Sequence, residues 1–437
     1  MNPNKLIGEG YSEMGEFWLP DFPEIKIVGM LSVEARDRVI LKIFHEFPGC
    51  DTLRMSFDKR GTEFDVIHGD MRSNTAVVLF KCIHLGSAIQ ANYLLRGVDL
   101  LRHSSLAEYK FETASALYND TSEWLGNVFT PNHSGCDTGD MHLRKREVPM
   151  YKINGCEIKL NYRWDFKYSE SELTSNDIFS FKFDKAKDIT EIMEYTSVLG
   201  DFLLLCTNTP ITTKFECVGT GECESRDGVQ LIYQKRNIRK RKKPKFTEIV
   251  SYWTLANEFQ SVLDGWFELG LDKEIRDAIA LYTESHVSDT VTEITFLILF
   301  QACEGIVKRV EPNIYIGKKK CTRWIFEKLL CSTATPLIDF LNNEAIEKLV
   351  KRMNQTRKYW IHNSGKVAKI ETYDGLDLVA INRLLSYTIR AYLLQKIGVS
   401  QELVKQCLSP YHGIGSYLLE ELKTMCLDKE ASENNAP

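Results

Sequence analysis

From about residue 25 to residue 234, apolar residues occur in short runs of the kind that form β-strands. Residues 26–33 and 39–44 are two such runs with a five-residue polar connection, which predicts a hairpin. Apolar and polar residues alternate at 180–184, as they do in a half-buried strand. Further strands are predicted at 75–82, 109–117, 157–162, 178–183, 198–206 and 229–234. Many short strands with few helical stretches predict an antiparallel β-sandwich or a barrel-like domain.

After about residue 247 the apolar residues recur at intervals of three and four, which is typical of helices. This spacing predicts a helix between Trp253 and Phe267, and Gly398 is suited to end a later one. Further helices are predicted at 290–310, 320–331, 336–362, 376–397 and 401–408. The chain is therefore expected to be α+β, with a β-rich domain at 1–246, a helical connector at 247–285, a helical bundle at 286–427 and a disordered tail at 428–437.

Composition is that of an ordinary soluble globular protein, since 43% of the 437 residues are hydrophobic and 26% are charged. The twelve cysteines are scattered, with no CxxC pair, so we expect free thiols rather than disulfides or a zinc site. The N-terminus has no basic start followed by an apolar stretch. The longest dense apolar stretch, at 294–303, is about half of what a membrane-spanning helix needs. We therefore expect a cytoplasmic protein that makes no membrane contact.

A basic run stands out because the chain as a whole is acidic, with a formal net charge of −5. Eight of the eleven residues at 235–245 are Lys or Arg. The run is explained equally well as a solvated linker or as a patch that contacts nucleic-acid phosphates, and less well as a nuclear targeting signal. The candidate RNA contacts are Lys235, Arg236, Arg239, Lys240, Arg241, Lys242 and Lys243.

Familiar catalytic motifs do not occur: the sequence has no Walker loop, no HExxH and no GxSxG. The candidate catalytic pair is Arg357 and His362, late in a predicted helix. Five residues apart, they differ by about 140° of rotation and about 7.5 Å of rise, whereas Lys358 lies on the same face as His362. Histidine and arginine suit phosphodiester cleavage. A surface arginine and a histidine that stabilises the helix C-terminus explain the spacing as well.

The segment Arg357-Lys-Tyr-Trp-Ile-His362 resembles the Arg-x4–6-His signature of HEPN-domain ribonucleases. The segment at 300–307, which contains Glu304, resembles the early helix of that domain, which often carries an acidic residue. The opening Gly15-Glu-Phe-Trp-Leu-Pro20, with Val-Gly-Met-Leu at 28–31, is similar to the start of ApeA-type bacterial anti-phage proteins. Those proteins join a β-rich N-terminal domain to a C-terminal HEPN domain, the order expected here.

The resemblance implies a metal-independent endoribonuclease without a cofactor. HEPN signature helices usually meet across a two-fold axis, so two arginines and two histidines form one composite site. By this resemblance His362 acts as general base or acid, Arg357 holds the phosphate, and Lys358 and Glu304 complete the catalytic set. Many family members have Asn, Asp or His where this chain has Lys358.

The partners that the resemblance implies are RNA, with tRNA as the expected class, a second copy of the chain in a homodimer or a higher even oligomer, and a phage-derived trigger. Cleavage would stop growth of the infected cell, which is abortive infection. Two other functions stay open: a HEPN module that binds RNA without cutting it, and a β-sandwich that binds a ligand or protein and dimerises through its helices. Trp324, Phe326, Tyr359 and Trp360 are candidate interface residues, and burial in the core of the bundle explains each of them equally well.

Overall fold

Antiparallel strands dominate the first part of the chain and helices the second, so the fold is α+β as predicted. The structure is a computed structural model that describes residues 7–48, 63–85, 88–98, 100, 102–119, 121–125, 149–167, 172–219, 228–235, 249–287, 291–311, 325–326, 329–330, 343–362 and 372–407. Its strands are β1 (Tyr11–Trp18), β2 (Ile27–Glu34), β3 (Arg38–Ile43), β4 (Glu63–Met71), β5 (Ala76–Leu85), β6 (Ala88–Gly97), β7 (Lys110–Tyr118), β8 (Tyr151–Ile153), β9 (Cys156–Lys167), β10 (Glu172–Asp188), β11 (Thr213–Gly219) and β12 (Val229–Tyr233). Its helices are α1 (Thr121–Leu125), α2 (Ile189–Thr207), α3 (Tyr252–Leu255), α4 (Phe259–Leu271), α5 (Lys273–Val287), α6 (Thr292–Val310), α7 (Asn343–His362), α8 (Gly375–Lys396) and α9 (Gln401–Cys407).

Six strands close into a barrel. They follow the order β3-β2-β1-β4-β5-β6, and β3 also pairs with β6 at Val39↔Ala91 and Leu41↔Ile89. Strands β12, β11, β7, β10, β9 and β8 extend the same sheet outward from β6. The predicted hairpin of β2 and β3 is confirmed. Alternate side chains of the closing strands fill the barrel with a buried apolar core that includes Leu31, Ile67 and Leu79.

Phe17 fills the barrel because glycines on three neighbouring strands leave room for its ring. A Cβ added at Gly69 would lie 2.6 Å from the ring, and one at Gly29 would lie 3.2 Å from it. At Gly15 an added Cβ would lie 2.7 Å from the carbonyl oxygen of Asp70 on β4. The strands can therefore pack around a fully buried aromatic side chain only where these positions carry no side chain.

Gly69→Ala is expected to destabilise the barrel by about 1–3 kcal/mol, because the added methyl overlaps Phe17 and Val77 and the packed core must shift. The midpoint of urea unfolding, followed by tryptophan fluorescence, measures the loss. Gly8→Ala is the matched control, since its nearest neighbour would lie at an ordinary 3.9 Å. Equal midpoints for the two variants would contradict this account of the core.

The strand predicted at 198–206 is wrong, because these residues form the second half of helix α2. The helix starts with a reciprocal cap: the Glu191 N–H donates to Asp188 Oδ1 at 2.9 Å, and the Asp188 N–H donates to Glu191 Oε2 at 3.1 Å. It ends at Thr207, and the next residue, Asn208, has a φ of 54°, the left-handed conformation that stops a helix. Because this half of the helix is almost wholly buried, its residues are apolar at nearly every position, and the helical spacing cannot be recognised in the sequence.

The chain divides into two compact units. The first comprises Met1–Asn119, Arg146–Ser197 and Thr212–Asn237, and the second comprises Asp120–Lys145, Val198–Ile211 and Ile238–Pro437. The domain limits expected at 246, 285 and 427 stay predictions, and the expected tail at 428–437 lies outside the described residues.

Helices fill the second unit largely where they were predicted. The helix expected between Trp253 and Phe267 is two helices, α3 and α4, separated by a turn that the Glu258 N–H closes on the Leu255 carbonyl. The predicted end of α8 is confirmed: Gly398 has a φ of 97° and its N–H donates to the Gln395 carbonyl. The helix predicted at 320–331 lies mostly outside the described residues, and so does the beginning, at 336–342, of the helix predicted at 336–362.

Candidate active site

Helices α6 and α7 bring two of the predicted site residues together. Nη1 of Arg357 on α7 lies 3.4 Å from Oε1 of Glu304 on α6. The Arg357 guanidinium also lies over the Phe300 ring, 5.0 Å from its centre. Because Phe300 and Glu304 are one helical turn apart on α6, the arginine head is held by an aromatic face and a carboxylate together.

Glu304 is placed by the apolar face of its own helix. It is only 8% exposed and belongs to the buried side of α6, between Cys303 and Ile306. Lys308, one turn later, brings its Nζ to 3.9 Å from the same carboxylate. Burial raises the pKa of the Cys303 thiol, and the neighbouring charge of Glu304 raises it further. Cys303 is therefore a neutral core residue, and its thiol is not a nucleophile of this site.

The other two predicted catalytic residues lie on α7 beyond Arg357. Lys358 is exposed, and His362 is the last residue of the helix. The side chain of His362 lies outside the described residues. Because α7 is helical through position 362, the offset of about 140° and about 7.5 Å between Arg357 and His362 applies to this chain.

Two residues that the sequence analysis did not single out fasten α7 to the chain that returns from it. Thr356 Oγ1 donates to the Arg352 carbonyl at 2.8 Å and accepts the N–H of Tyr373 at 2.9 Å. Arg352 Nη2 donates to the Thr372 carbonyl at 3.0 Å, and its guanidinium lies 4.2 Å from the centre of the Tyr373 ring. The only sequence signal was a threonine inside a helix, where this residue is a weak helix former.

The aromatic residues proposed for an interface differ in their surroundings. Phe326 is fully buried and packs on Phe300 with ring centres 4.4 Å apart, so it is a core residue. Trp360, at 37%, and Ile361, at 50%, are exposed at the end of α7, and the Tyr359 and Trp360 rings are in edge contact. Trp324 lies outside the described residues. The last turn of α7 therefore presents an apolar surface beside the candidate site.

Of the basic run, Lys235 alone lies within the described residues. Its Nζ is 2.6 Å from Asp37 Oδ2, and its N–H donates to the Arg36 carbonyl. The charge of Lys235 is thus paired with an acidic side chain of the β-rich unit. Six candidates lie outside the described residues: Arg236, Arg239, Lys240, Arg241, Lys242 and Lys243.

In the part of the chain that the structure describes, no three His, Cys, Asp or Glu side chains gather into a possible metal site. Nor does any helix there combine the length and apolarity needed to cross a membrane. Five cysteines of the described part of the chain are buried free thiols, as predicted: Cys82, Cys156, Cys206, Cys217 and Cys303.

Comparison with models of known families finds two matches along the chain. A model described as ApeA N-terminal domain 1 matches residues 12–266, and a model described as Apea-like HEPN matches residues 297–403. The second range contains Glu304, Arg357 and His362, and the first contains all six barrel strands except Tyr11, the first residue of β1. A search of curated proteins and a search of solved structures found no match.

Proposed function

This chain belongs to the ApeA family of HEPN-domain proteins, and from that premise we propose that it is an anti-phage ribonuclease of the bacterial cytoplasm. Infection activates it, it cuts RNA of the host cell, with tRNA as the substrate class, and growth of the infected cell stops. The β-rich unit is the sensor of a phage-derived trigger, and the helical unit carries the cleavage site.

The observation that carries this proposal is the arrangement around Arg357. A guanidinium has five N–H donors in a rigid fork, and among the described residues Glu304 accepts a hydrogen bond from one of them, on Nη1. Arg357 is partly exposed, so the remaining donors are available to a phosphate from solvent. Glu304 is then a positioning residue that aims the arginine, while Arg357 binds the phosphate and stabilises charge that develops during cleavage.

His362 supplies the proton transfers. A base takes the proton of the ribose 2′-OH as the 2′ oxygen bonds to phosphorus, and an acid returns a proton to the 5′ oxygen as its bond to phosphorus breaks. The products are a 2′,3′-cyclic phosphate and a 5′-OH. The reaction consumes no water and needs no metal, and DNA is not a substrate because it has no 2′-OH.

We propose that the working site is formed by two copies of the chain. Within one straight helix, Arg357 and His362 point in different directions, so an arginine from one copy and a histidine from the other can face the same phosphate. The exposed Trp360 and Ile361 lie between them in sequence and supply apolar surface for such a contact. Exposed Lys358 offers a further cation to the RNA backbone.

The function is tested by incubating the pure protein with total tRNA in EDTA, with and without an extract of phage-infected cells, and mapping the ends of the products. We expect cleavage in EDTA that leaves 2′,3′-cyclic phosphate and 5′-OH ends. Cleavage that requires an added divalent metal, or that leaves 5′-phosphate ends, would contradict the mechanism.

A catalytically silent RNA-binding module is the second candidate, and Lys358 favours it because this position usually holds Asn, Asp or His in the family. If the protein is such a module, we expect RNA binding that depends on salt and no new RNA ends, whether or not infected-cell extract is present. Lys358→Asn tests the lysine as the cause: if Lys358 silences the site, the variant should cut RNA that the wild-type protein only binds.

Replacing Arg239, Lys240, Arg241, Lys242 and Lys243 by serine is expected to weaken RNA binding and reduce its dependence on salt. Removing one phosphate-binding cation lowers the slope of log affinity against log salt by roughly 0.7 for a single strand and about 0.9 for a duplex. The cleavage position should not change, because side chains that bind phosphate do not read sequence. Filter binding at several salt concentrations measures the slope.

The matched control replaces exposed lysines of the sheet, Lys159, Lys182 and Lys185, by serine. If the basic run contacts RNA, the control keeps the wild-type slope. An unchanged affinity and slope in the five-serine variant would make the run a solvated linker.

A further inference from the structure

Beyond the residues proposed to contact RNA, the buried hydroxyl of Thr356 holds helix α7, which carries Arg357. Thr356 is fully buried and directly precedes Arg357 on α7. Its Oγ1 both donates to the Arg352 carbonyl within the helix and accepts the N–H of Tyr373, seventeen residues later in the chain. A single hydroxyl therefore ties the backbone of α7 to the segment that leads into α8.

Arg352 makes the second tie on the same side of the helix. It donates to the carbonyl of Thr372, and its guanidinium covers the Tyr373 ring. It also lies 3.6 Å from the Asp377 carboxylate in the first turn of α8. Thr372 and Tyr373, which are both buried and precede α8, are thus bonded to one turn of α7. That turn ends at Thr356, one residue before Arg357.

We propose that Thr356 and Arg352 are positioning residues of the RNA-cleaving site, an inference that rests on the proposed function. Arg357 is held at its head by Phe300 and Glu304 on α6, and through Thr356 at its backbone by the return segment. Side-chain ends lie about 5–6 Å from a helix axis, so rotating α7 by about 20° moves them by about 2 Å. A displacement of about 1 Å at a catalytic site can cost about 100-fold in rate.

Thr356→Val tests the inference because valine has nearly the same shape and has no hydroxyl. We expect kcat for tRNA cleavage to fall about 10-fold to 100-fold, with KM within about threefold of wild type. Thr356→Ser restores the hydroxyl and should recover kcat to within about threefold. The circular dichroism spectrum and the thermal midpoint, measured on the same full-length samples, give the folded fraction at the assay temperature.

Thr388→Val is the matched control. Thr388 is also fully buried in a helix, and its Oγ1 makes the same kind of bond to the carbonyl four residues earlier, Leu384, at 2.7 Å. The structure gives it no bond to a separate segment in the described residues. A merely structural role for a buried threonine predicts equal effects of the two valine substitutions, whereas positioning predicts a fall in kcat for Thr356→Val alone.

Arg352→Met provides a second test if Thr356→Val does not fold, since methionine keeps apolar contact with Tyr373 and loses the donor to Thr372. A fall in kcat beyond the loss of folded protein supports the inference. Unchanged kcat in Thr356→Val, or in Arg352→Met where Thr356→Val does not fold, overturns it while the proposed function stands. If the wild-type protein cuts no RNA with infected-cell extract, the proposed function and this inference fall together.

Discussion

His362→Ala is expected to abolish RNA cleavage and anti-phage protection while the protein remains folded. The position ends helix α7, so a shorter side chain there removes no buried turn of the helix. Loss of the group that we propose for the proton transfers is expected to slow cleavage by about 100-fold to 10,000-fold. Gel analysis of tRNA fragments and plaque counts on cells that express the variant measure the two effects.

Arg357→Ala should behave in the same way, with loss of about 100-fold to 1,000-fold in rate. Arg357→Lys should keep partial activity, because lysine supplies charge without two parallel donors to the phosphate. His45→Ala, at an exposed position of the barrel unit, is the control for both alanine variants. A folded His362→Ala protein that still protects cells would remove His362 from the mechanism.

Arg390→Met is expected to destabilise the helical unit by about 1–3 kcal/mol. Arg390 on α8 is fully buried, and it donates through Nε to the Leu205 carbonyl at 2.6 Å and through Nη2 to the Cys206 carbonyl at 2.7 Å. These carbonyls belong to the last turn of α2, where carbonyl groups lack partners within the helix. Methionine fills much of the space and leaves the buried Leu205 carbonyl unsatisfied, at about 1–3 kcal/mol. The Cys206 carbonyl keeps the N–H of Val250 at 2.9 Å.

The urea midpoint of tryptophan fluorescence measures this loss. Arg383→Met on the same helix is the control, because Arg383 is exposed and its replacement should change stability by less than about 0.5 kcal/mol. Equal midpoints in the two variants would show that Arg390 does not stabilise the end of α2.

The sheet could be predicted only as far as local patterns determine it. The β2–β3 hairpin follows from two apolar runs and a short polar connection, so the sequence predicted it correctly. Closure by β3 and β6 depends on a pairing of residues about fifty positions apart, as in Val39↔Ala91, which no local pattern encodes. The strand predicted at 198–206 was wrong because a strand and a buried helix have the same dense apolar composition. The helix was indicated instead by its cap, formed by Asp188 and Glu191.

For the site, the sequence supplied the residue types but not their contacts. Arg357 and Glu304 were found through resemblance to a family, and their separation of 3.4 Å depends on how α6 packs against α7. The bond between Thr356 and Tyr373 joins residues on different elements, so helical spacing says nothing about it. Hydrogen bonds of this kind, from a side chain to the backbone of another element, depend on how the elements pack. The spacing of apolar residues along the sequence therefore does not predict them.

The discontinuous make-up of the helical unit also decides how this protein can be dissected. A fragment that begins at residue 247 keeps Arg390 and Trp266 but loses Leu205 and Val198, whose carbonyls accept their buried N–H groups. Such a truncated protein should aggregate or be degraded on its own. A synthetic peptide of residues 187–211 supplied in trans should rescue it, so loss of activity in a library of N-terminal deletions reports a missing helix and not a missing activator.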